Sequence, residues 1–162
     1  MRRILEREIK YLEEHGRFRD TRKYTQHGTC SVYDHCVKVA EMSMKINHVL
    51  KLHANQKKLI RGALLHDYFL YDWHDPKNGH SPHGFTHPAT ALKNAVRDYQ
   101  LTDVEQNIIA RHMFPLTIIP PKCREAWIVC MADKICALQE TTLPLGKKVA
   151  KNKEEIRRSK KK

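Results

Sequence analysis

Apolar residues recur at steps of three and four positions along nearly the whole chain, which is the spacing of one face of an α-helix. No segment alternates apolar and polar residues in the manner of a half-buried strand. At 162 residues, the chain has the size of one domain around a single core. The pattern therefore predicts one all-α domain over residues 1–145, built as a bundle of about six to seven helices.

The same pattern places the helices and the break between them. Helices are predicted at about 2–14, 31–53, 55–71, 88–98, 102–113 and 122–140. Thr102 and Glu105 have the spacing of a capping box at the start of the fifth helix. Between the third and fourth helices lies DWHDPKNGHSPHGFTHP (72–88), where repeated proline and glycine predict a long loop.

Two ionisable neighbours lie within the apolar face of the third predicted helix. The segment GALLHDYFLYDWHD (62–75) places His66 beside Asp67. An ionised carboxylate buried alone costs several kcal/mol, and coordination by a cation is one of the few ways to offset that cost. Adjacent helical residues differ by about 100° in direction, so both side chains can reach one object beside the helix. A metal ion is the predicted object.

Four further polar residues are predicted to face the core, each from a different element: His35, His87, His112 and Asp133. With His66 and Asp67, they supply four imidazoles and two carboxylates. Such a set suits iron, manganese, cobalt or zinc better than magnesium alone.

The order His, His-Asp, His, His, Asp resembles the HD-domain superfamily of metal-dependent phosphohydrolases. The matching segments are YDHCVKVA, LLHDYFLYD, FTHPATALKNA, IIARHMFPL and MADKICAL, and they span about residues 25–140. The resemblance implies a first metal and a second metal that share Asp67 as a bridging ligand. The first would be held by His35, His66, Asp67 and Asp133, and the second by Asp67, His87 and His112.

The resemblance also implies a cofactor and a reaction. One or two divalent transition metals are expected (Fe, Mn, Co or Zn, with Mg as a further option), because some relatives bind a single ion. A hydroxide bridging the metals would cleave a phosphate ester or anhydride in a small nucleotide-like substrate. Asp67 would act in catalysis as the bridging ligand.

Further candidates surround the predicted ligands. Cationic side chains at neighbouring positions are candidate handles for the substrate phosphate: Lys38, Arg111 and Lys134. The loop offers Asp72 or His74 as a candidate proton donor to the leaving oxygen. Its ionisable residues could form a lid over the substrate: Asp72, His74, Asp75, Lys77, His80 and His83.

Charge and composition set the expected environment. Residues 146–162 hold nine Lys or Arg and two Glu, a net charge of +7 that leaves +5 of the total +12 for residues 1–145. This basic tail is expected to make at most weak contact with nucleic acid. The first residues are too polar for a signal peptide, and no run approaches the ~20 apolar residues of a membrane span. A soluble, cytoplasmic protein without a membrane partner is predicted, and five cysteines without a CxxC pair fit a reduced compartment.

Two other functions remain open from the sequence. The diiron oxygenases of the superfamily, similar to myo-inositol oxygenase, use the same ligand order, so the ligands alone do not separate oxygenation from hydrolysis. A metal-stabilised or metal-sensing module that binds nucleotide or nucleic acid through lysine and arginine without turnover is the third hypothesis. The oligomeric state is left undetermined.

Overall fold

The computed structural model of the protein describes residues 2–27, 30–75 and 82–159, with side chains described over 2–26, 30–75 and 82–142. The α-helices of this part are α1 (Arg2–His15), α2 (Val32–Val49), α3 (Gln56–Leu65), α4 (His83–Asp98), α5 (Asp103–Arg111) and α6 (Arg124–Ser159). A short 3-10 helix (Phe18–Lys23) and two short antiparallel strands, β1 (Thr25–His27) and β2 (Cys30–Ser31), connect α1 to α2. The all-α prediction is confirmed, and the strands are too short to leave a periodic pattern in the sequence.

The core lies where α2, α3, α5 and α6 pack against one another. Large apolar side chains from three of these helices are fully buried there: Leu59, Ile60, Leu64, Leu65, Ile108, Ile109 and Ile128. Gly62 allows α3 and α5 to approach closely, because a Cβ atom at this position would lie 2.4 Å from Ile108 Cδ1. The polar residues of the site emerge from the ends and inner faces of these same helices.

Side-chain caps fix where two of these helices begin. The Ser31 hydroxyl accepts a hydrogen bond from the Asp34 amide at the start of α2, at 3.1 Å. At the start of α5 the Thr102 hydroxyl accepts from the Glu105 amide, and the Glu105 carboxylate accepts from the Thr102 amide at 2.7 Å. The predicted capping box is therefore confirmed.

The predicted C-terminal end of the third helix, at about residue 71, is wrong. α3 stops at Leu65, and His66 and Asp67 occupy the turn that follows it. Leu70 then adopts a left-handed φ of 57°, which an α-helix does not contain. The apolar pattern runs on to residue 71 because these residues are buried without being helical.

The loop predicted at 72–88 is shorter than expected, because α4 begins at His83 and includes Pro88. Pro88 lies in the second turn of α4 and has no backbone N–H, so it cannot donate the helical hydrogen bond to the carbonyl oxygen of Gly84. One turn of this segment is reinforced by the His87 ring, whose Nδ1 lies 2.9 Å from the His83 carbonyl oxygen. Residues 76–81 lie outside the described residues.

The last helix is longer than predicted. α6 runs from Arg124 to Ser159, past the predicted end at residue 140 and the predicted domain boundary at residue 145. The assignment of residues 146–162 to a basic tail stays a prediction, since their side chains lie outside the described part of the chain. None of the described helices carries an apolar stretch long enough to traverse a lipid bilayer.

Candidate metal centre

The six predicted ligands converge at one buried point between the helices. His35 comes from α2, His66 and Asp67 from the turn after α3, His87 from α4, His112 from the end of α5, and Asp133 from α6. All six are at least nine-tenths buried. Their ligand atoms form three overlapping triads within 4.8 Å: His35, His66 and Asp67; His66, His112 and Asp133; Asp67, His87 and His112.

The Asp67 carboxylate divides these imidazoles into two groups. Its Oδ2 lies 3.3 Å from His66 Nε2 and 3.8 Å from His35 Nε2. Its Oδ1 lies 3.2 Å from His87 Nε2 and 3.4 Å from His112 Nε2. One carboxylate therefore presents a separate oxygen to each pair of histidines.

Asp133 completes the group on the Oδ2 side. Its Oδ1 lies 3.1 Å from His35 Nε2 and 3.7 Å from His66 Nε2. The two carboxylates thus face the same pair of imidazoles, with Asp67 reaching on to the other pair. This is the division expected of two neighbouring cation sites that share one ligand.

The outer nitrogen of each histidine is engaged away from the centre. Backbone carbonyl oxygens lie 2.7 Å from His66 Nδ1, 2.9 Å from His87 Nδ1 and 2.8 Å from His112 Nδ1. A carbonyl only accepts, so each of these Nδ1 atoms carries the proton and leaves the Nε2 lone pair directed inward in a neutral ring. Such outer hydrogen bonds orient metal-binding histidines and fix their tautomer.

The inward atoms lack protein partners that would satisfy them. Neither His66 Nε2 nor Asp67 Oδ1 forms a hydrogen bond, although both are fully buried. His87 Nε2 and His112 Nε2 lie 2.8 Å apart, so two neutral rings of this tautomer would point lone pairs at each other. Buried polar atoms without partners are costly, and a bound cation satisfies all of these atoms at once. The residues therefore fit a divalent metal.

The charges of the centre shift its protonation. Burial raises the pKa of the Asp67 carboxyl, but the positive charge that a protonated His66 brings, together with the other imidazoles close to the carboxylate, holds that pKa well below its usual range. Burial lowers the pKa of His35, whereas its hydrogen bonds to Asp133 and Glu140 raise it, and the net pKa is about 10. Protons on imidazoles thus balance the carboxylates where no cation does, and a metal would replace them.

Glu140 is a member of the centre that the sequence analysis missed. Its side chain is 7% exposed, and Oε2 lies 3.0 Å from His35 Nδ1. Its other oxygen, Oε1, accepts from Lys38 Nζ at 3.0 Å and from Cys30 Sγ at 3.2 Å. Burial raises the pKa of the Glu140 carboxyl, yet the hydrogen bond and charge of His35 outweigh it and bring the pKa to about 2. Its position two helical turns after Asp133, on the same face of α6, was the available signal.

Gln26 is a second missed residue. It lies on β1, is buried, and donates from Nε2 to Asp67 Oδ2 at 2.6 Å. Because a carboxylate accepts, the amide orientation is fixed and Oε1 is left as an acceptor with no hydrogen-bond partner. A three-residue strand offers no periodicity, so nothing in the sequence singled this residue out.

A cavity of about 820 Å³ opens beside the centre. Its polar end is formed by Gln26, by Lys134 and by four of the six clustered residues: Asp67, His87, His112 and Asp133. Its apolar side is formed by Trp73, Met113, Pro115, Leu116 and Ala137. A ligand in this cavity would therefore touch both metal-binding side chains and hydrocarbon.

The predicted phosphate handles have different surroundings. Lys134 lines the cavity, and its Nζ donates to the carbonyl oxygens of His112 at 3.0 Å and Cys130 at 3.3 Å. Arg111 is half-buried and is not among the lining residues. Lys38 pairs with Glu140 on the Nδ1 side of His35, whereas the cluster lies on the Nε2 side. Lys38 therefore lies on the far side of His35 from the cluster and contacts the centre through Glu140.

Of the residues predicted to form a lid, the structure places one at the cavity. His83 lines the cavity, and its ring stacks on that of His87 with centroids 4.5 Å apart. Asp72 is 55% exposed, accepts a hydrogen bond from the His74 amide and does not line the cavity. His74 and Asp75 are also exposed and do not line the cavity. Lys77 and His80 lie outside the described residues.

A helical bundle that buries four histidines and two aspartates beside a cavity defines an all-α protein with a candidate divalent metal centre. The sequence profile of the HD domain matches residues 32–138, about two thirds of the chain. The chain belongs to the HD domain family, whose members form a superfamily of metal-dependent hydrolases, so the predicted resemblance is confirmed. Searches of curated proteins and of solved structures found no match.

Proposed function

We propose that the protein is a metal-dependent phosphohydrolase that cleaves a phosphate ester or anhydride of a small, nucleotide-like molecule. The observation that carries the proposal is the Asp67 carboxylate, whose two oxygens face separate pairs of buried imidazoles at the end of a cavity. Two-metal sites of this kind are suited to in-line displacement at phosphorus.

The residues divide into two sets of metal ligands. One ion would be held by His35, His66, Asp67 and Asp133, and the other by Asp67, His87 and His112. When bound, the metals would supply Lewis acidity, which lowers the pKa of water and neutralises charge on phosphoryl oxygens.

The protein's own side chains organise the site around that chemistry. Hydrogen bonds at Nδ1 keep the histidines from rotating, so their Nε2 atoms stay directed inward. Gln26 donates a hydrogen bond to Asp67, and its Oε1, which has no protein partner, can accept a hydrogen bond from a substrate or from water. Lys134 adds positive charge at the polar end of the cavity, where a phosphate would lie.

The first experiment measures metal content and catalysis on the same preparation. Protein purified without chelator or histidine tag is analysed for metals and then assayed for phosphate release from a panel of phosphorylated compounds with Mn, Co, Fe(II) or Mg. About two metals per chain and metal-dependent phosphate release are expected. Asp67→Ala should lose both, whereas Asp103→Asn, an exposed carboxylate at the start of α5, should keep both.

Two results would contradict the proposal. Bound iron with dioxygen consumption and no phosphate release would point to the oxygenase alternative. Protein that binds no divalent metal under any of these conditions would exclude both enzymatic alternatives.

A further inference from the structure

Much of the apolar side of the cavity comes from one short segment. Met113, Pro115 and Leu116 all lie within four residues of His112, so the first apolar residue of the cavity is one position from a candidate ligand. Trp73 and Ala137 extend this side from other elements. A substrate with its phosphate at the candidate metal centre would therefore place its organic group against hydrocarbon.

The size of the cavity requires that organic group to be substantial. A volume of about 820 Å³ lies within the range of about 300–1,000 Å³ that encloses drug-sized ligands. The apolar character also continues outward along the same turn, since Ile118 and Ile119 are 89% and 50% exposed. Orthophosphate or a short polar ester would leave most of this surface in contact with water.

The part of the lining that the structure describes carries little positive charge. Among its described lining residues, Lys134 is the one lysine or arginine side chain. Its Nζ is already held by the carbonyl oxygens of His112 and Cys130 and by Cys130 Sγ. Recognition of a polyphosphate chain ordinarily uses several cationic groups besides the metal. This lining fits a single phosphoryl group at the metal centre.

We infer that the preferred substrate is a phosphomonoester with a largely apolar organic group, and that polyphosphates are poor substrates. The inference rests on the proposed phosphohydrolase activity, and among phosphate esters and anhydrides it favours monoesters whose organic group is less polar than a nucleoside. In the reaction, the oxygen of water forms a new bond to phosphorus and the bond from phosphorus to the ester oxygen breaks. A proton from that water goes to the leaving oxygen in the overall balance, so the products are inorganic phosphate and the free alcohol.

The test compares substrates that share the same chemistry. The metal-loaded full chain is assayed with hexyl phosphate, with glycerol phosphate as a polar alkyl monoester, and with a nucleoside triphosphate. Burial of several methylene groups should raise kcat/KM for hexyl phosphate about 10- to 100-fold above that for glycerol phosphate. The nucleoside triphosphate should be slower than hexyl phosphate by at least a similar factor.

A matched pair of variants locates the effect in the cavity. Leu116→Lys places a cation on the apolar side and should lower kcat/KM for hexyl phosphate about 10-fold while raising it for the triphosphate. Val96→Lys introduces the same charge at a half-exposed apolar position of α4 that does not line the cavity. This control should change neither value.

The outcomes separate the inference from the proposed function. If phosphate is released but glycerol phosphate or the triphosphate matches hexyl phosphate in kcat/KM, the inference is overturned and the phosphohydrolase function stands. If none of the phosphate compounds is hydrolysed by the metal-loaded protein, the proposed function fails, and the inferred substrate class fails with it.

Discussion

Glu140 offers the sharpest test of how the centre is built, because it touches a candidate ligand and not the cavity. Its Oε2 lies 3.0 Å from His35 Nδ1, and both side chains are buried. Glu140→Ala would leave the His35 Nδ1 group buried without this partner and free the ring to rotate. The loss of such an outer partner typically lowers metal affinity or activity about 10- to 100-fold.

The magnitude can be divided between the contacts of Glu140 with His35 and with Lys38. In Glu140→Ala, loss of the hydrogen bond from His35 Nδ1 should cost about 1–3 kcal/mol, since a buried donor loses this acceptor. The ion pair with Lys38 involves a lysine side chain that is 51% exposed, and exposed pairs contribute about 0–1 kcal/mol. Most of the effect on metal affinity should therefore pass through His35.

Two variants and two measurements make this prediction specific. Metal affinity is measured by competition with a chelating dye, and the unfolding temperature of the metal-free protein is measured alongside it. Glu140→Gln keeps an oxygen that can accept from His35 Nδ1 and should restore most of the affinity that Glu140→Ala loses. Lys38→Met should change metal affinity less than about 5-fold.

The results that refute this reasoning are equally specific. If Glu140→Ala binds Mn or Co within about 2-fold of the unmodified protein, the carboxylate does not position His35. If Lys38→Met leaves metal affinity intact but raises KM for a phosphorylated substrate, Lys38 is the substrate handle that its position in the sequence suggested.

Four further predictions concern protons, Asp67 and helix packing. Because the pKa of His35 is raised from 6.5 to about 10, metal binding at pH 7 should release protons, and metal affinity should rise with pH. Calorimetry in buffers of different ionisation enthalpy measures this release, and a result of no released protons would refute the prediction. The metal-free protein should gain stability from the His35 proton below pH 6.5 and lose it as the pH rises toward 10. Gln26→Leu should remove the hydrogen bond to Asp67 and lower kcat about 10- to 100-fold with nearly unchanged unfolding, and unchanged kcat would contradict the role given to Gln26. Gly62→Ala should destabilise the protein by about 1–3 kcal/mol in denaturant unfolding, because its methyl group would overlap Ile108, and a neutral or stabilising effect would count against this packing.

The sequence was sufficient for the helical class and for the set of residues that converge. Inward polar residues on separate helices have few alternatives to meeting at one point, and His35 and Asp133, 98 positions apart, do meet at 3.1 Å. The end of α3 was not predictable from periodicity. Leu70 is partly buried with a left-handed backbone, and tertiary packing rather than local pattern fixes that geometry.

The supporting residues could not be predicted for a different reason. Glu140 acts through a contact with a residue 105 positions earlier, and a glutamate near the end of a predicted helix has the pattern of a solvated charge. The role of Lys38 as a phosphate handle stays a prediction. Lys38 lies one turn from His35, yet it contacts Glu140 behind that ring.

The turn after α5 connects the chemistry of the centre to the choice of substrate. His112 contributes a candidate ligand nitrogen, and its carbonyl oxygen holds Lys134 at the polar end of the cavity. Met113, Pro115 and Leu116, which follow it, form much of the apolar side. The candidate ligands lie on helices of the core or at their ends, whereas the inferred substrate surface lies on a turn, where side chains change more readily. Family membership therefore constrains the metal chemistry more closely than the substrate, and residues 113–116 are where substrate preference should be altered first.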